Sequence, residues 1–178
     1  MIFGIDPSLT ATAICFGNDP NPGKLEMKLL GNESRGSLLP GRIERVTDLA
    51  LLVQSEIARN AEGEDSIFIE AYSYGSQNNR EKLAEYGGIL RMLLLEVTPN
   101  IFEVAPTTLK KFATGKGKGK KHAIAGAVGK KFGLVFDSDD ETDAFCLWRF
   151  GLVFNEAVPD ALAYEKDSVE SFKERLGE

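Results

Sequence analysis

The chain has 178 residues, of which 43% are hydrophobic and 27% charged, and its formal net charge is −6. That length suits one domain with a real core rather than two, and the composition is ordinary for a globular protein. No apolar run approaches the roughly 20 residues that cross a bilayer, and no basic region leads into a signal-like segment, so no membrane partner and a cytoplasmic location are expected.

In chain order, Ile2, Phe3, Gly4 and Ile5 read as a short buried strand that ends at Asp6, where Pro7 and Ser8 mark a turn. Residues 13–16 follow closely enough to return as an antiparallel partner, and residues 24–30 alternate as a third strand. Taken alone, Asp6 reads first as a turn residue bonding its own backbone; the pattern gains meaning because acidic residues recur at the ends of other apolar runs. Residues 42–59 carry Ile43, Val46, Leu49, Ala50, Val53 and Ile57 at steps of three and four, which predicts an amphipathic helix. Residues 66–70 then read as a buried strand ending in Glu70, repeating the design at Asp6.

Residues 72–80, with Tyr72, Ser73, Tyr74 and Arg80, form a polar and aromatic loop suited to touching a ligand. A helix is expected over 82–97. Its Gly87-Gly88 pair signals either close packing against another backbone or a simple break. A fifth strand over 100–104 precedes a short helix, capped by Thr107 or Thr108, that carries Lys110 and Lys111. Glycine and lysine alternate from 115 to 121, and a helix over 121–132 ends at Gly133. Ser138 and Glu141 form a capping-box pattern that starts a helix near Asp139 and sets Asp140 and Asp143 three apart on one face. Asp139 and Glu141 complement the helix dipole. Asp143 borders an apolar run, where a carboxylate needs a partner. Beyond Asn155 the chain reads as a peripheral helix or a frayed tail, which gives a main domain over 1–155 and a C-terminal extension over 156–178.

Charge is distributed unevenly. Eight lysines fall between Lys110 and Lys131 with no acid among them, so a positive surface for phosphates is expected despite the negative total. Cys15 and Cys146 lack the paired spacing of a zinc site and read as buried thiols, and the lone His122 excludes a metal site built from histidines. If the strands ending in Asp6 and Glu70 are neighbours, those two and Asp140 with Asp143 converge. Four carboxylates without histidine suit two hard divalent cations, and paired metals can activate water and steady the leaving oxygen of a phosphodiester.

The motifs resemble a known family. Gly4-Ile5-Asp6-Pro7 with Thr12, Ile69-Glu70, Ala105-Pro106 through Lys110, Thr114-Gly115-Lys116-Gly117 followed by Lys121, and Asp140-Glu141-Thr142-Asp143-Ala144 resemble, in order, the RuvC family of Holliday junction resolvases, including its compact bacteriophage members. The resemblance implies an α/β architecture of RNase H-like fold, a five-stranded mixed sheet flanked by helices. It implies a magnesium-dependent endonuclease with two ions per site, manganese substituting, that acts as a homodimer on branched DNA and nicks four-way junctions symmetrically. By position, Asp6, Glu70, Asp140 and Asp143 match the metal ligands, Lys121 a basic residue near the scissile phosphate, and Lys110 a phosphate contact. Tyr72, Ser73, Tyr74, Arg80, Lys111, Lys116, Lys118 and Lys120 fall on the stretches that face DNA. The family's dimer interface maps to the helix over 82–97. Ser8 and Ala13 stand where the family often has glycine, and Ser73 lines up with its junction-facing aromatic residue. The start of the chain also resembles the phosphate-binding hairpin of actin-like ATPases, which share the core fold. The same carboxylates and lysines suit an RNase H-type or debranching nuclease as well, and the lysines alone suit a DNA-binding protein without cleavage.

Overall fold

The computed structural model describes residues 1–31, 38–72, 80–117 and 123–177. Three strands open the chain: β1 (Ile2–Asp6), β2 (Ala11–Gly17) and β3 (Glu26–Gly31). They form an antiparallel meander, with Asp6 opposite Ala13. The third strand begins two residues later than its alternation suggests, because Pro22–Lys24 form a 3₁₀ turn whose Gly23 amide donates to the Asn21 side chain.

A long helix, α1 (Leu39–Asn60), leads into β4 (Ser66–Glu70), and α2 (Arg80–Leu95) leads into β5 (Ile101–Val104). Both strands run parallel to β1, giving the sheet order β3-β2-β1-β4-β5. The rest is helical: α3 (Pro106–Thr114), α4 (Ala123–Phe132), α5 (Asp139–Phe154) and α6 (Ala163–Leu176). Among the described residues no helix is long and apolar enough to cross a membrane.

Strand side chains alternate between faces, and each face has its own core. Phe3, Ile5, Ile67 and Ile69 pack with Val46, Leu49 and Ile57 of α1 and Tyr86, Leu90 and Leu94 of α2. Ile2, Ala13, Cys15 and Phe68 point the other way, onto α5. There the inner face of α5 is almost wholly buried. Trp148 is fully enclosed and its indole N–H donates to the Gly17 carbonyl at 2.9 Å. Each such large buried side chain contributes about 1.5–3 kcal/mol of apolar burial.

Gly4 sets how closely the sheet and α5 approach. A Cβ on Gly4 would lie 2.2 Å from the Trp148 backbone nitrogen and 2.3 Å from the Ala144 carbonyl oxygen. Backbone therefore lies on backbone, and only glycine fits. Gly87 is also a close approach, but against a side chain. A Cβ there would meet the Tyr72 hydroxyl at 2.4 Å, whereas Gly88 faces open space and α2 runs unbroken through both.

Helix α6 is fixed by buried charge. Glu165, 2% exposed, accepts from Arg149 Nε of α5 at 2.9 Å and lies 2.6 Å from Lys131 Nζ of α4. Its other oxygen caps the Leu162 amide at 2.9 Å. Burial pushes the Lys131 ammonium below its ordinary range, and the adjacent carboxylate opposes that shift.

Candidate metal centre and nucleic-acid face

The in-register pairing of β1 with β4, Ile5 opposite Ile69, places the next residues of the two strands side by side. Those residues are Asp6 and Glu70. Alternation turns both toward the α5 face, at the carboxyl ends of the parallel strands, where open α/β sheets build their sites. The Asp6 carboxyl, 7% exposed, donates a hydrogen bond to Glu70.

The first turns of α5 complete the group. Ser138 caps the helix, its hydroxyl accepting from the Glu141 amide at 3.1 Å and donating to the Glu141 carboxylate at 2.9 Å. The Ser138 half of the expected capping box is thus formed, while the Glu141 carboxylate bonds the Ser138 hydroxyl rather than its backbone amide. The contact of Ala144 with Gly4 then brings the start of α5 over the end of β1, so that Asp140 and Asp143 lie within electrostatic reach of Asp6 and Glu70.

The electrostatics follow from this crowding. Burial, and then the charges of Glu70, Asp143 and Asp140, push Asp6 well above the ordinary carboxylate range. Glu70 is pushed up to about 7 by burial and by Asp143 and Asp140, partly offset by the hydrogen bond from Asp6. Asp143 is pushed up to about 6 by burial, Asp139 and Asp140, while the positive charge of Lys110 pulls it back. Carboxyls in such a cluster stay partly protonated unless a cation relieves the repulsion. Among the described residues no three such side chains are already arranged to hold an ion. The donor set is nevertheless all carboxylate oxygen, which fits magnesium or manganese rather than zinc or copper.

The remaining residues singled out in the sequence fall into two groups. Lys110, Lys111 and Lys116 lie on α3 or directly after it, and Lys110 is near enough to bias Asp143. Thr114 holds the turn after α3: its hydroxyl donates within 2.8 Å of the Lys110 and Lys116 carbonyls and accepts from the Lys116 amide. Tyr72 is half-buried. The Arg91 guanidinium covers its ring at 4.3 Å, and its hydroxyl reaches the Ala84 carbonyl at 3.4 Å. Ser73, Tyr74, Lys118, Lys120, Lys121 and the side chain of Arg80 lie outside the described residues.

Several contacts around the site had no signal in the sequence. The Thr12 and Tyr86 hydroxyls bond at 2.5 Å in a buried contact that ties β2 to α2, and Arg45 of α1 donates to the Leu9 carbonyl. Together they hold the turn that follows Asp6.

No family model matches the chain. Over 87 residues, 47% of this chain and 54% of the other, it is 37% identical to the crossover junction endodeoxyribonuclease RuvC of Campylobacter hominis, so this match spans about half the length of that protein. Over 155 residues, 83% of this chain and 88% of the other, it is 26% identical to the protein of the same name from Chlamydia muridarum. Among solved structures, RuvC of Thermus thermophilus superposes with a TM-score of 0.63, covering 99% of this chain and 96% of that one at 20% identity. The same protein in complex with a Holliday junction substrate also gives 0.63, covering 99% and 95% at 17% identity. The chain is RuvC-like in sequence and in fold. Its sheet of five mixed strands between two helical layers is the RNase H-like arrangement of those RuvC structures, in agreement with the order of its motifs.

Proposed function

We propose that the chain is a metal-dependent endodeoxyribonuclease that resolves four-way DNA junctions by symmetric nicking as a homodimer. The observation that carries this reading is the side-by-side ending of β1 and β4 in Asp6 and Glu70, beneath the carboxylates of α5. Likeness to proteins named crossover junction endodeoxyribonucleases, and to a chain solved with a Holliday junction substrate, supplies the substrate class.

In this reading Asp6, Glu70, Asp140 and Asp143 hold two magnesium ions, with manganese able to substitute. When bound, the ions supply an activated water and stabilise the leaving oxygen of an in-line phosphodiester displacement. The protein's part is placement. The two strand ends fix Asp6 and Glu70 relative to each other, and Gly4 fixes the height of Asp143 above them. Lys121 serves as the basic residue for the scissile phosphate, and Lys110, near enough to bias Asp143, contacts phosphate. Lys111, Lys116, Lys118 and Lys120 bind the flanking backbone phosphates, which positions DNA without reading its sequence. Ser73, Tyr74 and Arg80 supply further DNA contacts in this reading, whereas the Tyr72 ring is taken up by its packing on Arg91 and Gly87. The outer face of α2 supports the dimer, because Ala84, Gly88, Met92 and Leu95 are exposed along one stripe, the last two 60% exposed each.

The test is incubation with a synthetic immobile four-way junction, a linear duplex and an RNA–DNA hybrid, each with magnesium, manganese or chelator. Paired symmetric nicks in the junction, lost with chelator and lost in Asp6→Asn while junction binding persists, are expected. Cutting of the hybrid alone moves the chain to RNase H-type chemistry, and full turnover by Asp6→Asn overturns the metal assignment.

A further inference from the structure

Glu70 is held from behind as well as from the front. Its carboxyl points to the α5 face, but its carbonyl oxygen accepts from Arg91 Nη2 at 3.2 Å, and Arg91 belongs to α2 in the other helical layer. The same guanidinium donates through Nε to Glu103 of β5 at 2.5 Å and through Nη1 to the Gly87 carbonyl at 3.1 Å. Its flat face lies on the Tyr72 ring at 4.3 Å. The Arg91 side chain is only 17% exposed, so these partners, rather than water, define its position.

We propose that Arg91 is a positioning residue for the metal centre: its planar fork locks the end of β4, and thereby the Glu70 carboxylate, to β5, to α2 and to the start of the loop at Tyr72. The proposal rests on the reading of Glu70 as a metal ligand. Three observations favour a dedicated device over an ordinary surface pair. The guanidinium engages three separate elements through three different nitrogens, a geometry that an ammonium cannot reproduce. One of its bonds goes to the backbone of the ligand residue itself, at the last position of the β4–β5 ladder, where Glu70 pairs with Val104. Finally, α2 carries a glycine directly beneath the stack, since a Cβ on Gly87 would lie 2.7 Å from Arg91 Nη1 and 2.4 Å from the Tyr72 hydroxyl. The helix accepts a poor helix former there, at a cost of about 1 kcal/mol, and the ring and the guanidinium come to lie flat against it.

Arg91 lies on the far side of the sheet from the carboxylates and touches neither ion nor phosphate in this reading. Its loss therefore loosens Glu70 without removing a DNA contact. Partners that orient a metal ligand in this way are worth roughly 10–100-fold in metal affinity.

The experiment compares wild type, Arg91→Lys and Arg91→Ala by Mn²⁺ titration calorimetry on DNA-free protein, by junction binding in chelator, and by single-turnover cutting against Mg²⁺ concentration. Both variants are expected to bind Mn²⁺ about tenfold more weakly and to need correspondingly more Mg²⁺ for half-maximal cutting. Junction affinity in chelator should stay within about twofold of wild type, because no phosphate contact is lost. Mn²⁺ affinity and Mg²⁺ dependence equal to wild type in a folded variant overturn the proposal, as does a wild-type protein that binds no Mn²⁺. Should both variants fail to fold, Glu103→Ala removes one anchor at a half-exposed edge; about threefold weaker Mn²⁺ binding is then expected, and unchanged binding overturns the proposal. A wild type that leaves junctions uncut defeats the proposed nuclease function, whereas the Mn²⁺ titrations still decide the role of Arg91.

Discussion

The two helical layers face the same sheet and are built on different principles. The α5 layer is closed on itself. Its backbone meets the sheet directly at Gly4, aromatic rings from Phe68, Phe102, Phe150, Phe154 and Phe172 stack around it, and a buried Arg149–Glu165–Lys131 group secures α6. The α1 and α2 layer has a mainly aliphatic inner core but keeps apolar residues on its outer surface. Its Arg45 and Arg91 donate to the backbone of the turn after β1 and of the end of β4. One layer therefore sets distances within the site, and the other holds the strand ends in place while leaving a face free for a neighbour.

Gly4→Ala is the sharpest way to break this division. Its methyl would overlap two backbone atoms that no rotamer change can move, so a loss of about 3 kcal/mol is expected by chemical denaturation, together with loss of metal-dependent cutting. A loss below about 1 kcal/mol would mean that α5 lifts easily from β1, and that the contact does not set the separation of Asp6 from Asp143.

A smaller effect distinguishes charge from packing. Glu70 and Asp143 rise from ordinary values of 4.5 and 3.8 to about 7 and about 6. Between the ordinary and the raised values the folded state binds more protons than the unfolded one. The stability that these two groups contribute to metal-free protein is therefore fully present below about pH 4 and is lost as pH rises toward 7. Melting in chelator should accordingly occur at a lower temperature at pH 8 than at pH 5.5, and saturating magnesium should remove the difference. A melting temperature in chelator that rises over this range would show that the carboxylates do not repel one another in the folded chain.

The least disruptive test addresses the open layer. Met92→Lys with Leu95→Lys should leave monomer stability within about 0.5 kcal/mol, since neither side chain is buried. Sedimentation should then report a species of half the wild-type mass. Equal masses for both proteins would move the neighbour to another surface.

Much of this was legible from local pattern. Short apolar runs ending in Asp6 and Glu70 marked two strands, and the spacing of Ser138 and Glu141 marked the start of α5. Local pattern carries no information about which distant backbone a residue will touch. Gly4 looked like any small strand residue until α5 was laid across it, and Gly87 suggested a backbone neighbour where the Tyr72 ring is found. Glu165 stood in a charged segment that reads as periphery, yet it is among the most buried acids, because its partners lie 16 and 34 positions earlier. Arg91 gave no sign at all, since three of its four contacts belong to other elements.

The paired burial of Cys15 and Cys146 has a practical consequence. Both thiols sit on the α5 side of the sheet, and burial pushes each well above the ordinary thiol range, with Cys146 raised further by the charges of Asp143 and Glu165. Both thiols are therefore expected to resist alkylating reagents in the native protein, and the rate of modification at Cys15 is expected to report how often α5 parts from β2. A cysteine added elsewhere on the surface could carry a fluorophore without removing the natural pair, so one molecule would report both DNA engagement and the breathing of its own interior.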